Sequence, residues 1–430
     1  MNLSEKTEPV KERAVLIGVH TGNRSLLEDT TEESMIELAQ LADTAGAEVL
    51  QTMIQNRPSV EASTYVGQGK LEEVREICKS LGANLIIVDD ELSGSQIRNL
   101  EEATGVRVID RSTLILDIFA ARAFTKEGKI QVELAQLKYM LPRLTGMGSA
   151  LSRLGGGIGT RGPGETKLET DRRHIWRRIK HLENELKEVR KHRELLRSRR
   201  KKQGLPVAAL VGYTNAGKSS LMNALSDANV LTEDKLFATL DPTVRGIELP
   251  DYGKVLLVDT VGFIRKLPHH LIEAFKSTLE EAVEADVLLH VVDSSSDAAE
   301  QHVMVVDKLL DELGASNKPI ILVYNKVDKR RNDCSFIWTK DGHATARVEV
   351  SAVTGQGLDD LKNTLARVIP EQKRKVKICL PYSAGSILSQ IHESCDVLQE
   401  QYVEQGIVVE AIVDKTIYGK IKGYIIGDEG

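Results

Sequence analysis

The sequence predicts an α/β protein built on mostly parallel sheets with helices on their faces. Short apolar runs alternate with amphipathic helical patterns over most of the chain, which is typical of βαβ units. A glycine-rich stretch, 212–219, stands between an apolar run and a helical pattern, where such folds bind phosphate groups. A long charged helical segment, 165–202, interrupts the alternation and indicates a helical hairpin.

Shifts in composition and hydrophobic period divide the chain into five predicted parts. The first part is a charged, polar N terminus that we expect to be disordered. It is followed by a small α/β domain, a helical hairpin, a second α/β domain and a small α+β domain. In residue numbers these parts are 1–12, 13–124, 125–204, 205–370 and 371–430.

The predicted elements follow from apolar runs and helical periods. The N-terminal domain has predicted strands Ala14–Val19, Val49–Ile54, Leu85–Val88 and Val106–Ile109, with helices at Glu32–Ala45, Lys70–Leu81 and Ser95–Thr104. The second α/β domain has predicted strands Val207–Val211, Val255–Asp259, Val287–Val292, Ile320–Tyr324 and Ala346–Val350. The C-terminal domain has a predicted strand Val376–Leu380, a helix Gly385–Cys395, and strands Val397–Tyr402 and Gly406–Val413.

The hairpin is predicted from two helical patterns, 130–144 and 165–202, that flank a glycine-rich tip, 154–164. Apolar residues step by three and four along both arms, as in an antiparallel coiled coil. The predicted inner positions are Val132, Leu134, Leu137, Leu141 and Leu144 on the first arm and Ile175, Ile179, Leu182, Leu186 and Val189 on the second.

The second arm of the hairpin carries a strong excess of positive charge. Between Asp171 and Lys202, fourteen Lys and Arg residues stand against five Asp and Glu residues, although the net charge of the chain is −6. Most of the charge comes from Arg172, Arg173, Arg177, Arg178, Arg190, Lys191, Arg193, Arg197, Arg199, Arg200, Lys201 and Lys202. Such an excess favours a polyanion, and RNA phosphate is the natural candidate. The alternative is an ordinary solvated helix face.

The stretch after Val207–Val211 has the composition of a phosphate-binding loop. Gly212 and Gly217 allow backbone conformations in which successive N–H groups point at a polyphosphate, at the start of a helix. We expect Lys218 to reach the β- and γ-phosphates and Ser219 to offer its hydroxyl to Mg²⁺. The predicted loop consists of Gly212, Tyr213, Thr214, Asn215, Ala216, Gly217, Lys218 and Ser219.

The stretch after Ile320–Tyr324 is a predicted guanine reader, formed by Asn325, Lys326, Val327 and Asp328. Guanine presents an N1–H and an amino group on one edge, and the Asp328 carboxylate can only accept. Adenine presents an acceptor there, so a buried carboxylate would stay unpaired, which is costly. The two stretches together predict a protein that binds GTP and GDP rather than ATP.

Three further stretches fit the same site. We expect Asp259 to hold a Mg²⁺-bound water and the Gly262 N–H to contact the γ-phosphate. The first stretch consists of Asp259, Thr260, Val261 and Gly262. The second is a first switch, formed by Phe237, Ala238, Thr239, Leu240 and Asp241. The third consists of Ser351, Ala352 and Val353, which face the guanine carbonyl. A threonine of the first switch completes the Mg²⁺ shell, and spacing leaves Thr239 and Thr243 both open.

Catalysis is predicted to rest on Lys218, Gly262 and Asn215. Phe263 stands where many regulatory GTPases have a glutamine that orients the attacking water, so we expect slow intrinsic hydrolysis. The side chain of Asn215 could seat K⁺ beside the phosphates or simply stabilise the loop, and the sequence leaves both roles open.

Composition sets the remaining expectations. There is no apolar run of about 18 residues, so no membrane span is predicted. The polar N terminus does not resemble a signal peptide, and four scattered cysteines without metal-ligand spacing favour free thiols. We therefore expect a cytoplasmic protein, and a monomer.

The motifs and their arrangement resemble the HflX family, of the Obg–HflX group of translation-factor-class P-loop GTPases, over almost the full chain. The resemblance is carried by the stretches Ser63–Lys70, Gly155–Glu165, Gly212–Ser219, Phe237–Asp241, Asp259–Gly262 and Asn325–Asp328. Against the family pattern Thr239 is the Mg²⁺ threonine, and Phe263 matches a hydrophobic residue that the family carries.

The resemblance implies a GTPase that binds the large ribosomal subunit and splits or rescues stalled ribosomes under stress, with the glycine-rich tip near the peptidyl-transferase region. Two other functions remain open. The chain could be a GTPase switch that acts with an RNA-modification partner, or a scaffold that senses GTP without using its turnover.

Overall fold

The computed structural model describes residues 11–22, 31–143, 163–202, 205–226, 236–237, 239–250, 252–266, 280–330, 344–369, 374–413 and 415–429. The chain forms two compact units, each described below by itself. The first unit comprises Met1–Leu196, Glu233–Asp241 and Val261–Leu279. The second unit comprises Arg197–Thr232, Pro242–Thr260 and Glu280–Gly430.

The first unit contains a four-stranded sheet with all strands parallel. Its strands are β1 (Arg13–His20), β2 (Glu48–Asn56), β3 (Leu85–Val88) and β4 (Arg107–Asp110), and its helices are α1 (Thr31–Thr44), α2 (Gln68–Leu81), α3 (Gly94–Thr104) and α4 (Arg111–Arg122). The strand order is β2-β1-β3-β4. Buried aliphatic residues on β1 and β3 form the centre of its core. The predicted parallel sheet is confirmed.

Helix α4 was not predicted from the sequence. Leu114 and Leu116 are both buried although they lie about 200° apart around the helix, so the apolar run shows no clear helical period. The helix begins after Asp110, whose carboxylate accepts from the Thr113 N–H at 2.9 Å, a helix cap. The cap was present in the sequence as a signal that could have placed the helix.

The N terminus was predicted to be disordered over residues 1–12, and residues 1–10 lie outside the described part of the chain. Lys11 and Glu12 do not fit that prediction. The Glu12 carbonyl accepts from the Glu48 N–H at 2.8 Å, and its carboxylate pairs with Arg107 at 3.0 Å. These contacts extend the β1–β2 pairing by one step and hold the chain against the sheet.

The hairpin is formed by α5 (Lys126–Arg143) and α6 (Pro163–Lys202). The two helices bury a core of Ile130, Leu134, Ile179, Leu182 and Leu186. Glu127 near the start of α5 pairs with Arg193 at 3.0 Å, and Lys138 further along pairs with Glu183 at 2.9 Å, so the arms run antiparallel as predicted.

The predicted inner positions of the first hairpin arm need correction at two residues, one missed and one misplaced. Ile130, which was not predicted, belongs to its core, whereas Val132 is buried but does not join that cluster. The two residues differ by about 200° around the helix, so they cannot share a seam. Leu144 and tip residues 154–162 lie outside the described residues.

The second unit contains a six-stranded sheet in the order β10-β9-β8-β5-β7-β6. Its strands are β5 (Val207–Gly212), β6 (Thr243–Leu249), β7 (Gly253–Asp259), β8 (Val287–Asp293), β9 (Ile320–Asn325) and β10 (Ala344–Glu349), and its helices are α7 (Lys218–Ser226), α8 (Ala299–Glu312) and α9 (Leu358–Val368). All neighbouring pairs are parallel except β6 with β7.

Edge strand β6 was missed by the sequence prediction. Only Ile247 and Leu249 are buried in it, so the alternating signal is short. Thr243, one of the two candidate Mg²⁺ threonines, pairs with Asp259 in this antiparallel ladder.

The chain ends in a four-stranded antiparallel sheet, ordered β12-β13-β11-β14. Its elements are β11 (Arg374–Leu380), α10 (Gly385–Ser394), β12 (Asp396–Val403), β13 (Gly406–Val413), α11 (Lys415–Ile421) and β14 (Ile425–Glu429). The last two were not predicted, because each is short. Within the parts of the chain that the structure describes, no helix is both long and apolar enough to cross a bilayer.

Candidate nucleotide-binding site

The loop between β5 and α7 is shaped by two glycines. Gly212 has φ +149°, and a Cβ there would lie 2.3 Å from the Val291 carbonyl oxygen. Gly217 has φ +90°, and a Cβ there would lie 2.3 Å from Nδ2 of Asn325. The loop therefore needs glycine at both positions, and it leads into the N terminus of α7, where anions are stabilised.

Lys218 begins α7, and its ammonium lies inside the loop. Its Nζ donates to the carbonyls of Gly212 at 3.1 Å and Tyr213 at 2.8 Å. Burial lowers the pKa of Lys218 to about 8, although Asp259 acts in the opposite direction. A buried cation that is hydrogen-bonded to neutral carbonyls is well placed to bind a polyphosphate.

Ser219 and Asp259 lie together beside the loop. The Ser219 hydroxyl donates to Oδ2 of Asp259 at 2.7 Å, and Asp259 is buried at the end of β7. Hydroxyl and carboxylate oxygens are the ligands that Mg²⁺ prefers, so this pair suits a magnesium ion. Thr260 instead donates its hydroxyl to the Leu210 carbonyl at 2.6 Å, which ties β7 to β5.

The predicted guanine reader is joined to the phosphate loop by side chains. Asn325 donates from Nδ2 to the Ala216 carbonyl at 3.0 Å, and its Oδ1 accepts from the Ala352 N–H at 3.1 Å. Lys326 donates to the Asn215 carbonyl at 2.8 Å and to Asp293 at 2.6 Å. Asn325 thus braces both neighbouring loops.

Asp328 is held from the side of the last predicted loop. The Ser351 hydroxyl donates to its Oδ1 at 2.6 Å. A carboxylate accepts through two oxygens, so Asp328 keeps the capacity to accept from a purine edge. Val353, in the same stretch as Ser351, is 80% exposed. Val327, in the same stretch as Asp328, begins a short 3₁₀ helix. The structure brings stretches 212–219, 325–328 and 351–353 and Asp259 together in the second unit.

Two histidines belong to this region and were missed by the sequence prediction. His302 on α8 stacks on Tyr213 of the phosphate loop, with ring centroids 3.8 Å apart. His290 on β8 is buried, and burial together with the charge of Lys218 lowers the pKa of His290 to about 3. A histidine inside the apolar run Val287–Asp293 was the available sequence signal.

The predicted first switch lies in the first unit. Phe237 is buried with its ring edge-to-face against Phe119, with centroids 4.6 Å apart. Asp241 accepts from the backbone N–H groups of Phe124 at 3.0 Å and Thr125 at 2.9 Å. In this structure Phe237 contacts α4, and Asp241 binds the residues just before α5. Leu240 is buried and Thr239 is half-buried, while Ala238 lies outside the described residues.

The stretch after Asp259 also contributes to the first unit. Val261 and Phe263 are buried, and Gly262 lies between them. The Phe263 side chain has no polar group that could bind a water, as predicted. Lys266 pairs with Asp90 at 2.7 Å and with Asp89. Burial alone would raise the pKa of Asp89, but Arg111 and Lys266 hold it below its usual range.

Comparison with known proteins decides the family. The chain is 50% identical over 416 residues to GTPase HflX of Caldanaerobacter subterraneus subsp. tengcongensis, which covers 97% of this chain and 94% of that relative. The chain belongs to the HflX family of GTPases. It is also 42% identical to GTPase HflX of Escherichia coli, over 92% of each chain.

Three family models match successive parts of this HflX-family chain. They are described as GTP-binding GTPase N-terminal for residues 32–120, GTP-binding GTPase Middle Region for 122–200 and 50S ribosome-binding GTPase for 207–326. A GTP-binding protein of Sulfolobus solfataricus, solved with GDP, is 25% identical, with a TM-score of 0.44 over 83% of this chain and 98% of that chain. This member of the HflX family is a GTP-hydrolysing enzyme that binds GTP and GDP.

Proposed function

We propose that this HflX-family chain is a ribosome-associated switch. GTP-bound protein binds the large ribosomal subunit and splits or rescues stalled ribosomes, and hydrolysis to GDP releases it. The observation that carries the proposal is the row of exposed Lys and Arg side chains between residues 172 and 191 of α6. The description of the family model over 207–326, a 50S ribosome-binding GTPase, supports the same partner.

The charge of α6 is used in two ways. Arg178 donates to Glu133 from Nε at 2.6 Å and from Nη2 at 2.8 Å, and Arg193 pairs with Glu127, so both stabilise the hairpin. Arg172 and Arg177 are exposed, and we propose that they contact RNA phosphate. The cationic arm thus combines hairpin-stabilising pairs with charges directed at solvent.

The nucleotide-binding residues divide the work as follows. Loop N–H groups and Lys218 hold the phosphates, Asp328 reads guanine, and Asn325 fixes the two loops relative to each other. Ser219 would hold Mg²⁺, which when bound would neutralise charge on the phosphate oxygens. The attacking water lacks an orienting side chain at Phe263, so a ribosomal group or a cation near Asn215 completes the site.

Sedimentation tests the proposal. Purified large subunits should retain the protein with a non-hydrolysable GTP analogue and lose it with GDP. Replacing both Arg172 and Arg177 by Gln should weaken retention and lower the salt dependence of binding by a slope of about one to two. The matched control replaces two exposed cations of the second unit, Arg245 and Lys254, by Gln.

Two outcomes would contradict parts of the proposal. If the control pair weakens retention as much as the arginine pair, the hairpin arm is not the RNA contact. If large subunits leave the GTPase rate unchanged, the ribosome does not complete the site. Equal turnover in K⁺ and Na⁺ buffers would leave Asn215 as a loop-stabilising amide only.

A further inference from the structure

A three-residue connection, 123–125, joins the last helix of the N-terminal sheet domain, α4, to the first arm of the hairpin, α5. The α4 helix closes with the Ala123 N–H bonded to the Phe119 carbonyl at 2.9 Å. Phe124 follows with 78% of its surface exposed, so its ring does not anchor the joint. Short connections of this kind are where packed elements change their angle.

The backbone of this joint is held by Asp241. Its Oδ2 accepts from both the Phe124 and the Thr125 N–H groups, at 3.0 and 2.9 Å, and its Oδ1 accepts from the Thr125 hydroxyl. The Thr125 oxygen in turn accepts from the Gly128 N–H at 2.9 Å and so caps α5. Asp241 therefore binds Thr125, and Thr125 in turn caps the first hairpin arm.

Gly128 shows how closely the carboxylate approaches the helix. A Cβ at Gly128 would lie 2.6 Å from Oδ1 of Asp241 and 3.2 Å from the Thr125 hydroxyl. The helix backbone and the carboxylate thus meet where a side chain would keep them apart.

The segment that contains Asp241 also contacts α4, the helix before the connection. Phe237, four residues before Asp241, packs on Phe119 of α4, and both rings are buried. Phe237 therefore contacts α4, and Asp241 binds the connection that leads into α5.

We propose that Asp241 is the positioning residue through which the first switch sets the angle of the hairpin. This proposal rests on the proposed switch function. Thr239 lies two residues from Asp241, so a rearrangement of the first switch in the GTP state displaces the carboxylate and opens the cap. In the GDP state the cap is closed and the α4–α5 joint is fixed.

Hydrogen exchange at single-amide resolution, on the full chain without ribosomes, tests this proposal. The amides of Phe124, Thr125 and Gly128 should exchange roughly fivefold or more faster with a saturating non-hydrolysable GTP analogue than with GDP. In Asp241→Ala they should exchange fast in both states. In Thr125→Val only the Gly128 amide should become fast with GDP, because the two backbone donors to Asp241 remain.

Glu248→Ala removes an exposed carboxylate of β6 and should behave as the wild type. Wild-type amides that exchange equally in both nucleotide states would overturn the proposal. So would Thr125→Val with an unchanged Gly128 amide, which decides the question even if Asp241→Ala does not fold. The readout needs no ribosome, so a failure of ribosome binding in sedimentation is a separate result.

Discussion

Asn325 joins the base-reading loop to the phosphate loop through one hydrogen bond, from its side-chain Nδ2 to the Ala216 carbonyl at 3.0 Å. Its Oδ1 accepts from the Ala352 N–H, so three loops meet at one buried amide. The relative position of the predicted phosphate loop and the predicted guanine reader is therefore set by the Asn325 side chain.

Asn325→Ala should weaken binding of GDP and GTP by roughly 10- to 100-fold, because the Ala216 carbonyl and the Ala352 N–H lose their partner. Titration with a fluorescent GDP derivative measures the loss. Asn317→Ala, at an exposed position before β9, is the matched control. Equal affinities for the two variants would show that the brace does not order the site.

Gly217→Ala should abolish nucleotide binding, because its φ is +90° and the new Cβ would lie 2.3 Å from Nδ2 of Asn325. Gly246→Ala on β6 is the control, since a Cβ there meets nothing within 4 Å. Calorimetry with GDP on both folded variants makes the comparison. Near-normal GDP affinity in Gly217→Ala would mean that the loop accommodates the added methyl group without loss of binding.

Asp328→Asn should lower GTP affinity by at least about 100-fold and favour a xanthine nucleotide, whose 2-oxo group accepts where guanine donates. Competition of GTP and xanthosine triphosphate against fluorescent GDP measures the change in preference. Asp360→Asn, exposed on α9, should leave the preference unaltered. If Asp328→Asn also leaves it unaltered, Asp328 does not contact the base.

Acid should destabilise the second unit through His290. Its folded-state pKa of about 3 lies below its ordinary value of 6.5, so the unfolded chain binds the extra proton between these values. The free energy of unfolding should fall as the pH drops from about 6.5 toward 3, by up to about 1.4 kcal/mol per unit from this group.

Chemical denaturation of His290→Gln across that pH range should show a shallower slope than the wild type. His174→Gln removes an exposed imidazole from α6 and controls for the loss of a histidine. An identical slope in His290→Gln and wild type would show that His290 is not held neutral.

Lys266→Met should lower the free energy of unfolding by roughly 1–2 kcal/mol, because the buried Asp89 carboxylate loses a cation. Solvent screening limits the loss, because the Lys266 side chain is 31% exposed. Chemical denaturation compares it with Lys254→Met, an exposed position on β7. If the two substitutions lower the free energy of unfolding equally, the Lys266–Asp89 pair does not stabilise the fold.

Local patterns predicted the loops of the candidate site well because each loop follows a strand. Stretches 212–219, 325–328 and 351–353 stand after β5, β9 and β10, and carboxyl ends of parallel strands meet at one edge of a sheet. His290 and His302 were missed since neither stands in such a loop. Helix α4 and strand β6 were missed because their hydrophobic periods are weak.

The sequence by itself predicted the phosphate loop, the guanine reader and the strands β5 and β9 that these two loops follow, because glycine, carboxylate and amide chemistry act over a few residues. Only the tertiary structure decided what Phe237 and Asp241 do. Asp241 meets Thr125 from 116 residues away, and its bond depends on folding of the whole first unit. A contact between segments that are distant along the chain produces no local sequence pattern. Asp241 alone, or Thr125 alone, is compatible with many partners.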